Sequence, residues 1–329
     1  MQRYLITGAS GFVAAHFLRH LESLREPCEV LGLDVHPVPG GGYRFPFSVR
    51  EVNLLDSRAI EDLLREFRPT RILHLASMSN VGQSWKDPVE SFTNNTNIFL
   101  NLLDPIRKHS LGTRVLSVGS SEEYGMVRPS DLPLTEVRAL HPGSPYGVAR
   151  VAQEQLSQVY AEGYGLDIVM TRSFNHIGPG QREQFVIPSF VKQVVEAQRA
   201  GKAALVLKAG NTKVVRDFLD VRDVVRAYHE LLVRGKKSQV YNICSGMGRS
   251  LDQVLETLSE LTGVAIQVDI DQALLRPNEL MAIVGSAKKI EEALDWAPQY
   301  DFRTSLGDMI AYWSNKLQEQ ESHSLEQKI

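Results

Sequence analysis

Tyr146 and Arg150 stand four positions apart in the stretch SPYGVAR, which reads as the start of a helix. Ser144 suits the N-cap and Pro145 the first turn, so the two later side chains share one helix face. A phenol, with a reference pKa near 10, needs a neighbouring cation to act as a general acid or base near pH 7. The spacing predicts a proton-transfer pair in which arginine supplies charge but cannot relay a proton. The alternative is a helix with a buried tyrosine and a solvated arginine.

Three polar residues, Ser120, Ser121 and Glu122, end the apolar run in RVLSVGSSEEYG. A continuous apolar run of this length is typical of a buried parallel strand. Ligands bind at the carboxyl edge of open α/β sheets. We therefore expect these three side chains to emerge at a ligand-binding edge.

The segment TGASGFVAAH joins the first predicted strand to an amphipathic helix. Gly8 permits a tight turn, and Gly11 lets backbone amides approach a pyrophosphate at the helix N-terminus. Ala14 takes the place of a third glycine, where only close helix–strand packing is required. Asp34 ends the next strand, 20 residues further on, where a carboxylate can accept from a ribose hydroxyl. The pattern predicts a dinucleotide site; the alternative is an ordinary βαβ unit with a glycine turn and a loop aspartate.

These residues need a scaffold, and strand–helix alternation predicts a doubly wound parallel α/β sheet of the Rossmann type. The predicted strands are RYLITG, CEVLGLD, RILHLAS, RVLSVGS, LDIVMTRSF and QVYNICSG, and the predicted helices include FVAAHFLRHLESL, SRAIEDLLREF and YGVARVAQEQLSQVYAEGY. Beyond Phe174 the alternation loosens, which indicates a smaller α/β lobe interleaved with the sheet. The predicted division gives 1–173 and 218–245 to the nucleotide-binding domain, 174–217 and 246–317 to a substrate-binding lobe, and 318–329 to a frayed polar tail.

Composition limits the other possibilities. Of the 329 residues, 43% are hydrophobic and 23% charged, with a net charge of -3, so nothing in the charge balance favours nucleic acid or an anionic membrane as a partner. The only two cysteines lie in apolar runs, which is typical of buried thiols in a reducing compartment. No apolar run approaches the length of a membrane span, and no metal-binding pattern is evident. We expect a cytoplasmic protein.

The motifs quoted so far, with several others, resemble the extended short-chain dehydrogenase/reductase family, and within it the GDP-sugar branch of reductases and 4,6-dehydratases. The resemblance covers nearly all of residues 1–317. The segments that carry it are GSSEEYG, SPYGVAR, SFNHIGPGQ, VRDFLDVRD, VYNICSG, RPNE and DWAP. It implies an NAD(P)-dependent enzyme acting on a GDP-sugar.

The same resemblance implies roles for individual residues. Ser120 and Tyr146 would hold the sugar 4-oxygen, and Tyr146 would donate the proton. Arg150 falls where the family has a lysine that binds the nicotinamide ribose, and we expect its guanidinium to lie slightly further from the phenol and to bind the ribose hydroxyls as a fork. The implied cofactor contacts are Gly8, Ser10, Gly11, Phe12, Val13, Asp34, Leu54, Leu75, Ala76, Tyr146 and Arg150. The implied substrate contacts are Ser121, Glu122, Asn175, Arg216, Arg276 and Glu279.

Three questions stay open at this point. The favoured reaction is reduction of the 4-keto group of a GDP-6-deoxy-4-keto-hexose or heptose. One alternative is a GDP-mannose 4,6-dehydratase, with Glu122 as its acid–base group, or a related nucleotide-sugar epimerase or dehydratase, using tightly bound NAD(P). The other is a non-catalytic dinucleotide sensor. NAD(H) is favoured over NADP(H), because Asp34 would repel a 2′-phosphate. A homodimer is expected through the helices at 92–108 and 146–162, the pair that this family commonly uses.

Overall fold

The computed structural model describes residues 1–38, 42–275 and 279–326. The strands are β1 Gln2–Thr7, β2 Cys28–Asp34, β3 Phe47–Glu51, β4 Arg71–His74, β5 Arg114–Ser120, β6 Asp167–Ser173, β7 Asn175–Ile177, β8 Ala204–Ala209, β9 Val215–Asp220, β10 Val240–Ile243, β11 Gly248–Ser250, β12 Ala265–Ile270 and β13 Ala282–Ile283. The helices are α1 Phe12–Leu24, α2 Ser57–Phe67, α3 Val81–Lys86, α4 Pro88–Lys108, α5 Pro145–Gly163, α6 Val186–Arg199, α7 Val221–Arg234, α8 Leu251–Thr262, α9 Lys288–Leu294 and α10 Phe302–Glu326.

Seven parallel strands form the main sheet in the order β10-β6-β5-β4-β1-β2-β3. This confirms the predicted doubly wound fold. The central strands are continuously apolar and buried because helices cover both faces of the sheet. The strand order reverses between β1 and β4, and ligands bind at the carboxyl ends of the strands beside such a reversal.

A smaller lobe is built from chain that leaves the sheet after β6. Its core contains buried side chains of α6, α8 and α10, together with those of β8 and β9. The strands here are short: β9 pairs with β7, β11 and β13, and β8 pairs with β12. The chain returns to the main sheet once, at β10, and thereby interleaves the two parts.

Several elements were not predicted. Strand β3 is a short, mostly exposed strand at the sheet edge, so it lacks the apolar run that marks the central strands. Helices α7 and α10 have apolar side chains at helical spacing and could have been predicted. Helix α10 also corrects the expected fraying over 318–326, the described part of the predicted tail, because it continues through Glu326. An ion pair of 2.6 Å between Glu321 and Arg199 of α6 ties that segment to the lobe.

No helix in the described ranges is both long and apolar enough to cross a membrane. Within the same ranges, His, Cys, Asp and Glu side chains do not gather in threes in a way that could hold a metal ion.

Candidate active site

The turn between β1 and α1 can receive a pyrophosphate. Gly8 has φ +70°, and a Cβ there would lie 2.9 Å from the backbone nitrogen of Ala76. Gly11 is the N-cap of α1 and provides no side-chain cap, so the amides of the first turn, which begins with Phe12 and Val13, stay uncovered by a side chain. A Cβ on Gly11 would meet the Gly8 carbonyl at 2.9 Å. These features suit an anion at the N-terminus of α1.

Asp34 closes the same turn from the end of β2. Its Oδ2 accepts the Ser10 N–H at 2.9 Å, and its Oδ1 accepts the His36 N–H at 3.0 Å. The side chain is buried, with 9% of its surface exposed. The carboxylate is therefore fixed beside the glycine turn, which is where the sequence placed a ribose contact.

Thr7 and His74 organise the neighbouring ends of β1 and β4. The Thr7 hydroxyl lies 2.9 Å from His74 Nδ1 and accepts the N–H groups of Leu75 and Ala76, both at 3.1 Å. Burial, with a smaller effect of Arg150, lowers the pKa of His74 to about 3, so the ring is neutral. The predicted cofactor residues Leu75 and Ala76 thus border the glycine turn, whereas Leu54 lies in the apolar core beside β2.

Ser120 ends β5 and caps a short 3₁₀ turn over Ser121–Glu123. Its hydroxyl oxygen accepts the Glu122 N–H at 3.2 Å. A hydroxyl has one hydrogen to donate and two lone pairs, so this contact leaves the Ser120 hydrogen available to a ligand. Ser121 is buried, while Glu122 is half-buried in the turn.

Beneath this turn lies a buried acid that the sequence analysis did not single out. Glu123 is fully buried, and its Oε1 accepts the Ser120 N–H at 2.6 Å. Burial and the neighbouring Glu154 raise the pKa of Glu123 well above its usual range. Arg172 binds Glu154 with two contacts of 2.8 Å. This group of buried ionisable side chains joins the serine turn to α5 and β6.

Tyr146 and Arg150 lie one turn apart at the start of α5, as expected. The Ser144 hydroxyl accepts the Gly147 N–H at 3.1 Å and caps the helix. Arg150 Nε donates to the Tyr146 hydroxyl oxygen at 3.0 Å. The two residues are 7% and 5% exposed respectively, so the alternative of a solvated arginine is wrong. The arrangement places a charged donor against the phenol oxygen, where it can stabilise negative charge that develops there during proton transfer.

The remaining guanidinium contacts are with the protein itself. Nη1 of Arg150 donates to the Val118 carbonyl at 3.1 Å and to Gln153 Oε1 at 2.6 Å. Nη2 donates to the Ser77 hydroxyl. The edge of the guanidinium that was expected to meet a ribose is therefore largely taken by protein acceptors, and the group touches the phenol directly instead of standing further away.

The predicted substrate residues lie mainly in the smaller lobe. Asn175 begins β7 and is exposed, and its strand pairs with β9, which carries Arg216. Asp217 fixes that strand, since its buried carboxylate accepts N–H groups from the loop after β10 and from Gly285. Glu279 shortly precedes β13, whose Ile283 is paired with Arg216. Arg276 lies outside the described residues.

Ser77 and Gln153 are contacts of Arg150 that sequence reasoning missed. Gln153 carried a usable indication, because it is a polar residue three positions after Arg150, on the face of α5 that also carries Tyr146. Ser77 offered no such pattern, since it follows β4 in a loop and meets Arg150 only in the folded chain.

Similarity to known proteins extends over nearly the whole chain. The sequence model of a family described as GDP-mannose 4,6 dehydratase matches residues 5–309. A GDP-6-deoxy-D-mannose reductase of Pseudomonas aeruginosa is 32% identical over 97% of this chain and 99% of its own length. The structure of RMD from Pseudomonas aeruginosa complexed with NADPH has a TM-score of 0.83 and 30% identity, covering 96% of this chain and 100% of that one. The UDP-glucose 4-epimerase of Thermus thermophilus in complex with NAD has a TM-score of 0.82 and 30% identity, covering 95% and 99%.

Proposed function

The chain belongs to the GDP-mannose 4,6-dehydratase family, and we propose that it reduces the 4-keto group of a GDP-6-deoxy-4-keto-hexose or heptose. It is an NAD(P)-dependent enzyme that acts on a sugar nucleotide. One observation carries the proposed chemistry: a buried Tyr146 hydroxyl accepts a hydrogen bond from Arg150 at the sheet edge where Ser120 also ends its strand. Similarity to the reductase of Pseudomonas aeruginosa favours reduction over the other reactions in the family.

In this proposal Tyr146 holds the proton that the 4-oxygen receives. The reduced nicotinamide, when bound, supplies the hydride that adds to the carbonyl carbon, so the ketone becomes an alcohol and the cofactor is oxidised. The Ser120 hydroxyl donates to the same oxygen and orients it, because its hydrogen is not used in the contact with the Glu122 N–H. Arg150 stabilises the phenolate left by proton transfer.

Asp34 supports a preference for NADH. Both of its oxygens accept backbone N–H groups, which fixes the carboxylate beside the glycine turn, where the proposal puts the adenine ribose. A 2′-phosphate would approach this charge, and like charges at close range repel. The proposal differs from the NADPH found in the Pseudomonas aeruginosa structure.

The smaller lobe would hold the nucleotide of the substrate. Arg216 is suited to a diphosphate, since a guanidinium can bind two phosphate oxygens at once. Asn175 lies on the strand paired with β9, and Glu279 shortly precedes a strand that pairs beside Arg216. An acid at Glu279 suits the N–H groups of a guanine edge, and Arg276 would add a second cation on the nucleotide side.

We also propose that the protein forms a homodimer through α4 and α5, as predicted for 92–108 and 146–162. The two helices pack side by side in one chain. They leave Phe92, Val148 and Val159 exposed by 42%, 45% and 58%. A two-fold interface would bury this apolar surface in both copies.

The test is a product analysis. GDP-mannose and its 4-keto-6-deoxy derivative are incubated separately with the protein, each with and without NADH or NADPH, and products are identified by mass. The proposal expects one reduced cofactor consumed per keto-sugar and no change in GDP-mannose. Loss of water from GDP-mannose without net cofactor consumption would instead establish a 4,6-dehydratase.

The dehydratase is the second candidate because Glu122 immediately follows the serine pair, in a turn at the sheet edge. It would take a proton beside the ketone and give one to the leaving hydroxyl. A non-catalytic dinucleotide sensor would bind cofactor and turn over neither sugar.

A further inference from the structure

We propose that Gln153 is a positioning residue that orients the Arg150 guanidinium so that its Nε–H points at the Tyr146 hydroxyl. This inference rests on the proposed proton transfer from Tyr146. It assigns a role to a residue outside the Tyr–Arg pair, and it explains how an arginine can work in this position.

The proposal rests first on a continuous chain of buried hydrogen bonds. Gln153 Oε1 accepts from Arg150 Nη1 at 2.6 Å, and Gln153 Nε2 donates to the Ser117 hydroxyl at 2.9 Å. Ser157, one turn further along α5, lies 3.0 Å from that same hydroxyl. Gln153, Ser117 and Ser157 are each no more than 2% exposed. The chain therefore anchors the guanidinium to the interior of the sheet, away from solvent.

The partners also fix which way the Gln153 amide points. A guanidinium has only donors, so the Gln153 oxygen must face Arg150. The amide nitrogen then faces two acceptors, the Ser117 hydroxyl and the Val118 carbonyl at 3.2 Å. The same carbonyl accepts from Arg150 Nη1 at 3.1 Å. The Val118 carbonyl thus fixes the positions of the Arg150 and Gln153 side chains relative to each other.

The planarity of the Arg150 guanidinium links its hydrogen bonds to one another. A guanidinium holds its three nitrogens in one plane, so fixing Nη1 and Nη2 also fixes the direction of Nε–H. Gln153 and Val118 fix Nη1, and Ser77 fixes Nη2. Without the Gln153 oxygen, one buried donor loses its partner and the plane can turn away from Tyr146. The amide is also neutral, which leaves the positive charge of Arg150 undiminished.

Other charged groups nearby are accounted for. His74 at the end of β4 is neutral, since burial lowers its pKa to about 3. Burial raises the pKa of Tyr228 on α7. Glu154 on α5 is paired with Arg172 of β6, and burial raises the pKa of Glu123 in the serine turn. Arg150 is therefore the charged group that contacts the Tyr146 hydroxyl directly.

The experiment uses the full-length protein with two variants. Gln153→Met keeps length and shape but removes all three side-chain hydrogen bonds of Gln153. Gln153→Glu keeps an acceptor but adds a negative charge. Gln158→Met on the same helix is the control, because Gln158 is half-exposed and outside the chain of contacts. Reduction of the keto-sugar is followed from pH 6 to pH 10. We expect kcat to fall roughly tenfold or more in Gln153→Met with little change in KM. Gln153→Glu should move the alkaline limb up by about one pH unit and recover activity there.

A second readout does not depend on turnover. In ¹⁵N-labelled protein the Arg150 Nε–H signal is identified by its loss in Arg150→Lys, and its exchange with water is measured. We expect exchange at least tenfold faster in Gln153→Met than in wild type and Gln158→Met. Unchanged exchange in Gln153→Met, or a wild-type pH profile in an active Gln153→Met, overturns the inference. Faster exchange in a protein that turns over no keto-sugar would leave the inference standing and reject the proposed function alone.

Discussion

Arg150 and Tyr146 are joined by a direct hydrogen bond of 3.0 Å, with the guanidinium also 5.1 Å from the centre of the phenol ring. Both side chains are buried, and the arginine is also held by acceptors from β5, from the loop after β4 and from its own helix. The cation is thus part of the folded scaffold.

Replacing the cation is the first prediction. Arg150→Met removes the charge and the Nε–H donor, so kcat for keto-sugar reduction should fall on the order of 10²-fold or more. Arg150→Lys keeps the charge but cannot reach all four acceptors of the arginine side chain. Its activity should therefore lie between those of wild type and Arg150→Met. Tyr146→Phe should lose more than either. Steady-state rates with saturating cofactor measure all three, and a fully active Arg150→Met would show that the arginine is only structural.

Cofactor preference gives the second prediction. NADH should bind more tightly than NADPH in wild type, and Asp34→Ser should narrow the ratio of the two dissociation constants about tenfold, because the fixed carboxylate is gone. Calorimetric titration measures both constants. Glu51→Ser is a suitable control, since Glu51 ends the neighbouring strand β3 and is exposed. Tighter NADPH binding by the wild type would show that Asp34 does not face the ribose.

Glu122 separates the two candidate reactions. If the protein is a reductase, Glu122→Gln should retain reduction within about tenfold, because Tyr146 and Ser120 carry the proton and the oxygen contact. If it is a dehydratase, the same substitution should remove on the order of 10²-fold or more of the water-loss reaction. The rates of keto-sugar reduction and of water loss from GDP-mannose are measured in wild type and in Glu122→Gln. The reaction that the wild type carries out, and the factor by which the substitution slows it, decide between reductase and dehydratase.

Acid sensitivity of the fold is the fourth prediction. His74 has a folded pKa of about 3 against an ordinary 6.5, so below pH 6.5 the unfolded chain binds a proton that the folded chain does not. Stability should therefore fall as the pH drops, and His74 should contribute roughly 2 kcal/mol of that loss between pH 7 and pH 5. His20, whose pKa burial lowers to about 4, acts in the same direction.

The measurement is urea unfolding at pH 7 and pH 5. His74→Gln should show a smaller loss between the two pH values than wild type, whereas His36→Gln, at an exposed position, should not. An equal loss in wild type and His74→Gln would contradict a neutral buried ring.

Assembly gives the fifth prediction. Val159→Glu places a charge in the proposed apolar interface and should shift the protein from dimer to monomer in light scattering. Val206→Glu is the matched control, because this valine of β8 is 63% exposed and lies in the other lobe. A monomeric wild type would contradict the proposed homodimer. A dimer that Val159→Glu does not dissociate would show that the interface does not lie on α4 and α5.

Much of the scaffold could be predicted because the central strands are buried on both faces and therefore continuously apolar. The start of α5 was also readable, since Ser144, Pro145 and the four-residue spacing act locally. The contacts of Arg150 could not be read in the same way. Val118 and Ser77 reach it from β5 and from the loop after β4, and such long-range meetings leave no periodic pattern in the sequence.

The edge strand β3 could not be predicted for a different reason. It has only five residues and is largely exposed, so its apolar pattern is too short to distinguish it from a loop. The acid Glu123 was overlooked for another reason. Its neighbours in SSEEYG suggest an exposed polar turn, and only the packed structure shows that its carboxyl lies against Gly119 and the Ser120 amide.

The return of the chain at β10 has a consequence for biosynthesis. During translation from the N-terminus, β6 is complete long before β10 emerges, so its outer row of backbone N–H and C=O groups stays unpaired while the smaller lobe is being made. A nascent chain stalled in this interval would present an open strand edge to neighbouring chains on the same message. Pairing of β10 (240–243) with β6 then satisfies these backbone groups and ends the period in which this strand edge can start aggregation.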